Sequence, residues 1–255
     1  MRNIVLKYLI LAFILFITNN SIFANTEDIV KKASDAYQNN DYKKAIALYE
    51  ELLNDNYSSE ELYYNLGCAY FQNNDIASAA LYFEKAYALN PTDEDITHNI
   101  NIVHSRLQDK IESIPPIFYK RWYQDFTKMF TLQSWTIISV LSFTISLFLV
   151  LVYLLSGVMK WKKIGFYAAV FVGIIFILSI ISCQEHYKMR NNENYAIIFT
   201  PTVTTKSSPD ENSKNLFVIH QGTKVELTDN VGDWYEIKLA NGSVGWLLVS
   251  DVRTI

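Results

Sequence analysis

Gln38-Asn39-Asn40-Asp41 recurs 34 residues later as Gln72-Asn73-Asn74-Asp75, and this repeated string decides how the first half of the chain is read. At the same offset Ala45 meets Ala79, Tyr49 meets Phe83, and Glu50 meets Glu84. Self-similarity at such a period marks stacked helical hairpins, each too small to bury its apolar face alone. Gly67 and Ala79 are small where the two antiparallel helices of a repeat would touch. Tyr70 and Phe83 would fill the space between layers, and Pro91, which lacks a backbone N–H, ends the second helix.

The second copy, with Leu66-Gly67, Tyr70, Ala79, Phe83, Ala86 and Pro91, resembles the tetratricopeptide-repeat (TPR) consensus. The first is more degenerate, with Ala33 for the glycine and Ala36 for the tyrosine. Two repeats bury too little surface, so a further helix is expected to close the core. Thr92-x-x-Asp95 reads as a capping box. Ile96, Ile100, Val103, Leu107 and Ile111 then recur at helical spacing as far as Pro115-Pro116. The expectation is an all-α TPR solenoid, two repeats plus a capping helix, over residues 26–114.

In each first helix, positions i, i+4 and i+7 share a side. By the geometry of the TPR family, Val30, Ser34, Tyr37, then Tyr64, Cys68, Phe71, then His98, Ile102 and Ser105 line the concave surface. Tyr37, Tyr64, Cys68, Phe71, Gln72 and His98 are the candidate partner-binding residues of this groove. For any one aromatic, packing within the repeat is the competing reading. For the module, the resemblance implies protein binding.

Half of the chain is hydrophobic and 19% charged, more apolar surface than one ordinary soluble core would bury. The excess sits in three runs. The first follows Arg2 and Lys7 and ends near Ser21-Ile22-Phe23-Ala24, which reads as a signal peptide over residues 1–24, with an uncleaved anchor as the alternative. That segment carries two basic and no acidic residues, so without it the net charge of −4 becomes −6. Mild acidity and the lack of a basic stripe argue against nucleic acid. The other runs predict a two-helix transmembrane hairpin, residues 135–156 and 164–182, with Trp135 and Trp161 as interface aromatics. On the second run, Gly165, Ala169 and Gly173 are spaced for close helix approach.

Lys160, Lys162 and Lys163 in the connecting loop favour a cytoplasmic loop, and the signal places both flanking domains outside. The expected location is the bacterial cytoplasmic (inner) membrane, multi-pass, with the terminal domains periplasmic. Residues 115–134 form an amphipathic juxtamembrane segment. Its Phe118, Trp122, Phe126, Met129 and Phe130 make an apolar face suited to membrane lipid.

Residues 192–255 turn to short strands rich in aromatic and β-branched residues. Asn241-Gly242 is a two-residue hairpin signal of type I′. Gly222-x-x-Val225, Trp234-Tyr235 and Asn241-Gly242-x-Val244-Gly245-Trp246 resemble bacterial Src-homology-3-like (SH3-like) domains, implying a small all-β barrel. Members of that family bind peptides or cell-wall material, which makes Trp234 and Trp246 a candidate ligand shelf and peptidoglycan a candidate partner.

The four histidines are scattered, and His98 and His104 fall on different helix faces, so no metal or other cofactor is expected. No phosphate-cradling loop, nucleophile elbow or HExxH helix is present, and no catalytic residues are assigned; the chain reads as a non-enzyme. The order of parts, with Arg106-Leu-x-Asp-Lys-Ile-Glu112 before Pro115-Pro116, resembles the BatE-type proteins of the Bacteroides aerotolerance operon. That resemblance implies a scaffold or adaptor in a cell-envelope, stress-tolerance complex with von Willebrand A-domain partners. The alternative is a cell-wall-binding sensor acting through the SH3-like domain.

Overall fold

The computed structural model describes residues 26–112, 114–115, 117–190 and 194–255. The expected signal segment 1–24 and the helix-ending Pro116 lie outside them. The chain opens with α1 (26–38), α2 (Tyr42–Asn54), α3 (Glu60–Gln72), α4 (Ile76–Leu89) and α5 (Glu94–Arg106).

The repeated string owes its recurrence to turn chemistry. Asn40 and Asn74 both take the left-handed conformation, with φ of 60° and 64°, which asparagine tolerates better than most residues. Asp41 and Asp75 then cap the next helix, their side chains accepting from Lys44 N–H and Ser78 N–H. Small residues let the helices close: a Cβ on Gly67 would sit 2.8 Å from the Phe83 ring. Ala33, Ala45, Leu52, Leu66, Ala69, Ala79, Phe83 and Ala86 are buried between the layers.

The closing helix departs from expectation at both ends. Its cap is Asp93, which accepts from Asp95 and Ile96 N–H, while Thr92 Oγ1 donates to Asn90. It stops at Arg106, where Leu107 turns extended with ψ of 148°. Leu107 and Ile111, read as continuing the helical period, instead belong to an extended strap that crosses to the β-domain.

After the strap come α6 (Phe118–Thr127), α7 (Leu132–Leu155) and α8 (Met159–Arg190). Helices α7 and α8 are long and apolar enough to cross a membrane, which favours membrane anchoring. They pack along the small residues: a Cβ on Gly165 would meet Leu149 O and Tyr153 N at 3.1 Å. Ala169 is buried beside Ser146, whose hydroxyl lies 3.4 Å from the Ala169 carbonyl. Helix α8 runs nine residues past Ile181, about 13 Å at 1.5 Å per residue, and its end packs on α4.

Seven strands follow: β1 (Tyr195–Ile198), β2 (Thr202–Lys206), β3 (Asn215–His220), β4 (Lys224–Val231), β5 (Trp234–Lys238), β6 (Val244–Leu248) and β7 (Val252–Thr254). They form one antiparallel sheet in the order β3-β2-β6-β5-β4-β1-β7. Among the described residues no ladder joins the edges β3 and β7, so the pairing shows a sheet and not the closed barrel expected. The Asn241-Gly242 turn is also not type I′, because only Gly242 has positive φ, at 86°. Gly242 N–H donates to Leu239 O and Leu239 N–H to Ser243 O, giving a three-residue loop ended by a left-handed glycine.

Candidate functional site

Three surfaces are candidate sites: the expected inner face of the repeats, the seam between repeats and sheet, and the face of β5–β6 that holds Trp234 and Trp246. On the inner face, the Tyr37 ring lies edge-on to Tyr42, with Gln72 beside its hydroxyl. Tyr64 sits edge-on to Phe83 and its hydroxyl accepts from Asn99 Nδ2 at 2.9 Å. Cys68, between them, is half-buried, and desolvation pushes its thiol up to about 11. A thiol that stays protonated near neutrality is a poor nucleophile. Phe71 carries the Arg106 guanidinium 4.8 Å above its ring. Gln72 and His98 are exposed.

Tyr37 on α1 and Tyr64, Cys68 and Phe71 on α3 are half-buried, while Gln72 at the end of α3 and His98 on α5 are exposed. Asn99 and Arg106 were missed by sequence reasoning. Asn99 follows a residue already singled out, and the polarity of its i−35 partner, Tyr64, was the available signal. The surface is aromatic and neutral-polar with one guanidinium, which suits contact with a peptide more than acid–base chemistry.

At the seam, Ile197 of β1 joins the buried cluster of Ala80, Leu81, Phe83 and Val103, with Phe199 and Ile255 against it. Glu84 is buried and receives Lys224 Nζ at 2.6 Å, while His104 Nε2 lies 3.9 Å away. The repeat explains this arrangement. Glu50, one period earlier, accepts from Tyr70, and His104 stands one period after Tyr70. Desolvation lowers the His104 pKa, opposed by the Glu84 charge and aided by Lys224 and Lys110.

The strap completes the seam. Leu107 packs on Gly222, where a Cβ would approach Leu107 Cδ2 to 2.5 Å. Gly222 also has φ of 86°, so two constraints hold glycine there. Ile111 packs against the sheet core, and Ile114 N–H donates to Ala240 O. Lys110 Nζ donates to Ser105 O at 2.6 Å, satisfying a carbonyl at the end of α5. A cleft of about 680 Å³ remains between strap and sheet, lined by His104, Lys110, Glu112, Tyr195, Glu226 and Lys238.

On the sheet, Trp234 pairs with Leu248 and Trp246 with Glu236. The two tryptophans are thus diagonal neighbours on one face, both half-buried, while Ile237 and Leu247 point into the core. Lys206 of β2 pairs with Trp246, and a hollow of about 410 Å³ beside Trp234 is bordered by Thr202, Thr204, Lys206 and Asp251.

This is the architecture of a multi-module protein with interaction surfaces and two apolar helices. A tetratricopeptide-repeat model matches residues 30–94, and a bacterial SH3 domain model matches residues 206–253. No curated protein matches the chain. Repeats of the first kind point to protein–protein contact and domains of the second to cell-wall binding, and both are typically non-catalytic.

Proposed function

We propose that the chain is a non-catalytic membrane-anchored scaffold that docks a partner protein on the inner face of its repeats. What supports this reading is the half-buried set Tyr37, Tyr64, Cys68 and Phe71, on the side read as the inner face of a module matched as tetratricopeptide repeat. Helices α7 and α8 are read as spanning the inner membrane, with the repeat module and the SH3-like sheet both on the periplasmic side. The resemblance to BatE-type proteins favours a partner with a von Willebrand A-type domain in a cell-envelope, stress-tolerance complex. Solubilising the full chain mildly and recovering its partner tests the reading. Tyr64→Ala with Phe71→Ala should lose that partner, and unchanged recovery would refute the inner face as the docking surface.

A second reading rests on Trp234 and Trp246 lying diagonal on one face of a sheet matched as a bacterial SH3 domain. In it the chain is a wall sensor that binds peptidoglycan. Full-length protein in detergent should be retained on purified wall material, and Trp234→Ala with Trp246→Ala should release it. Retention equal to that of the double variant would rule this reading out.

A further inference from the structure

Helix α6 turns its aromatic side away from the protein. Thr127 is buried, and Tyr123 and Gln124 are half-buried, so that side of the helix faces the fold. On the opposite side Phe118 is 82% exposed and Trp122 75%, and Met129 in the turn after the helix is 67% exposed. Ile117 and Tyr119 beside them are also exposed, the Tyr119 ring edge-on to Phe118. Contiguous bare aromatics of this kind are rare on surfaces that face water.

The position of the helix says what covers them. The Thr127 carbonyl at its end accepts from Trp135 Nε1 of α7 at 2.9 Å. His186 Nε2 of α8 lies 3.0 Å from the same oxygen and must donate to it, since a carbonyl only accepts. Phe126 and Phe130 pack against the Trp135 ring. Lys128 Nζ donates to Tyr87 of α4 at 2.6 Å, tying this corner to the repeats. His186 stands five residues past Ile181, about 7.5 Å along the helix, which is the depth of the headgroup layer if the apolar run fills the hydrocarbon. Exposed Lys120 and Arg121 outnumber exposed Asp125 on the helix, although the chain is acidic overall.

We infer that α6 is an interfacial anchor: its Phe118–Trp122 face lies in the lipid surface, and Arg121 on the flank of that face favours anionic headgroups. This rests on the reading of α7 and α8 as membrane spans. Through the strap, the anchor fixes the height and tilt of both interaction modules above the bilayer.

The test uses full-length protein carrying Cys68→Ser and Cys183→Ser, one chain per lipid nanodisc, with an environment-sensitive fluorophore on a single new cysteine. Labels at Phe118→Cys and Trp122→Cys should be quenched by lipids bearing a quencher at headgroup depth, more strongly with phosphatidylglycerol than with phosphatidylcholine alone. A label at Ser208→Cys on the sheet should not be quenched. A label at Leu147→Cys should respond to a quencher deep in the acyl chains. If Leu147 fails, the spanning reading falls; if Leu147 responds and Trp122 behaves like Ser208, the anchor alone is refuted and protein covers that face. Phe118→Ser with Trp122→Ser should also speed trypsin cleavage after Arg121 about tenfold, the factor that about 1.4 kcal/mol represents. An unchanged cleavage rate would count against lipid seating.

Discussion

Asp109 holds His220 at the corner between strap and sheet. Its carboxylate accepts from His220 N–H at 2.7 Å, from His220 Nδ1 at 2.8 Å and from Thr223 Oγ1 at 2.8 Å. Burial works against this carboxylate, but the bonds from His220 and Thr223 outweigh it and hold its pKa below the ordinary 3.8. Replacing it by alanine leaves a partly buried N–H and hydroxyl without an acceptor, which costs about 1–3 kcal/mol. Asp109→Ala should therefore lower the unfolding midpoint and raise hydrogen exchange in the strap and at His220. With a depressed folded pKa, the stabilisation is complete above pH 3.8 and is lost as pH falls through the lower folded value. A strap whose exchange is unchanged in Asp109→Ala would show that the corner does not secure it.

His104 should make the seam sensitive to milder acid. Its folded pKa lies below 6.5, mainly through desolvation, so neutral His104 stabilises the fold above pH 6.5. That contribution declines as pH falls through the folded value. His104→Tyr restores the residue found one period earlier at Tyr70, beside a glutamate at the matching position. Thermal unfolding from pH 7.5 to 5.5 should fall less steeply in His104→Tyr than in the parent chain. Equal slopes would remove His104 from the account.

Among the described residues Lys224 is the nearest charged partner of the buried Glu84, at 2.6 Å against 3.9 Å for His104. Lys224→Met should destabilise by about 2–3 kcal/mol, at or below the roughly 3–5 kcal/mol of a stranded buried charge because the lysine is partly exposed. Glu84→Gln added to it should recover much of the loss in urea melts. No recovery would mean that the damage lies in packing against Tyr195, over which the ammonium sits at 4.8 Å.

Gly67→Ala should strain the repeat core, since the added methyl meets the Phe83 ring at 2.8 Å. Overpacking of this kind costs about 1–3 kcal/mol. Phe83→Leu in the same chain should relieve part of it, and strictly additive losses on thermal unfolding would argue against the contact.

What the sequence discloses depends on how far apart the interacting residues lie. The Gln-Asn-Asn-Asp string was legible because its work is local: an asparagine at positive φ and an aspartate cap act within a few residues. The strap was not legible. Leu107 and Ile111 continue the helical period of Ile96, Ile100 and Val103, and what pulls them out of the helix is Gly222 and a sheet core more than a hundred residues away. Strand β2 carries little strand signal, because Thr202–Lys206 holds only Val203 as an aliphatic residue and follows Pro201, and β7 is three residues long. Of the candidate inner face, helical spacing and the repeat family's geometry proposed Tyr37, Tyr64 and Phe71. Arg106 escaped because its role comes from stacking on a side chain of another helix.

The central claim is that the inner face of the repeats docks a partner protein. A photoreactive residue placed at Gln72 or at His98, both exposed on that side, tests it in intact membranes, with Lys43 on α2 as the control position. The account predicts an adduct with one partner protein from positions 72 and 98 and none from 43. An adduct that forms equally well from Lys43, or none from either inner position, would contradict it.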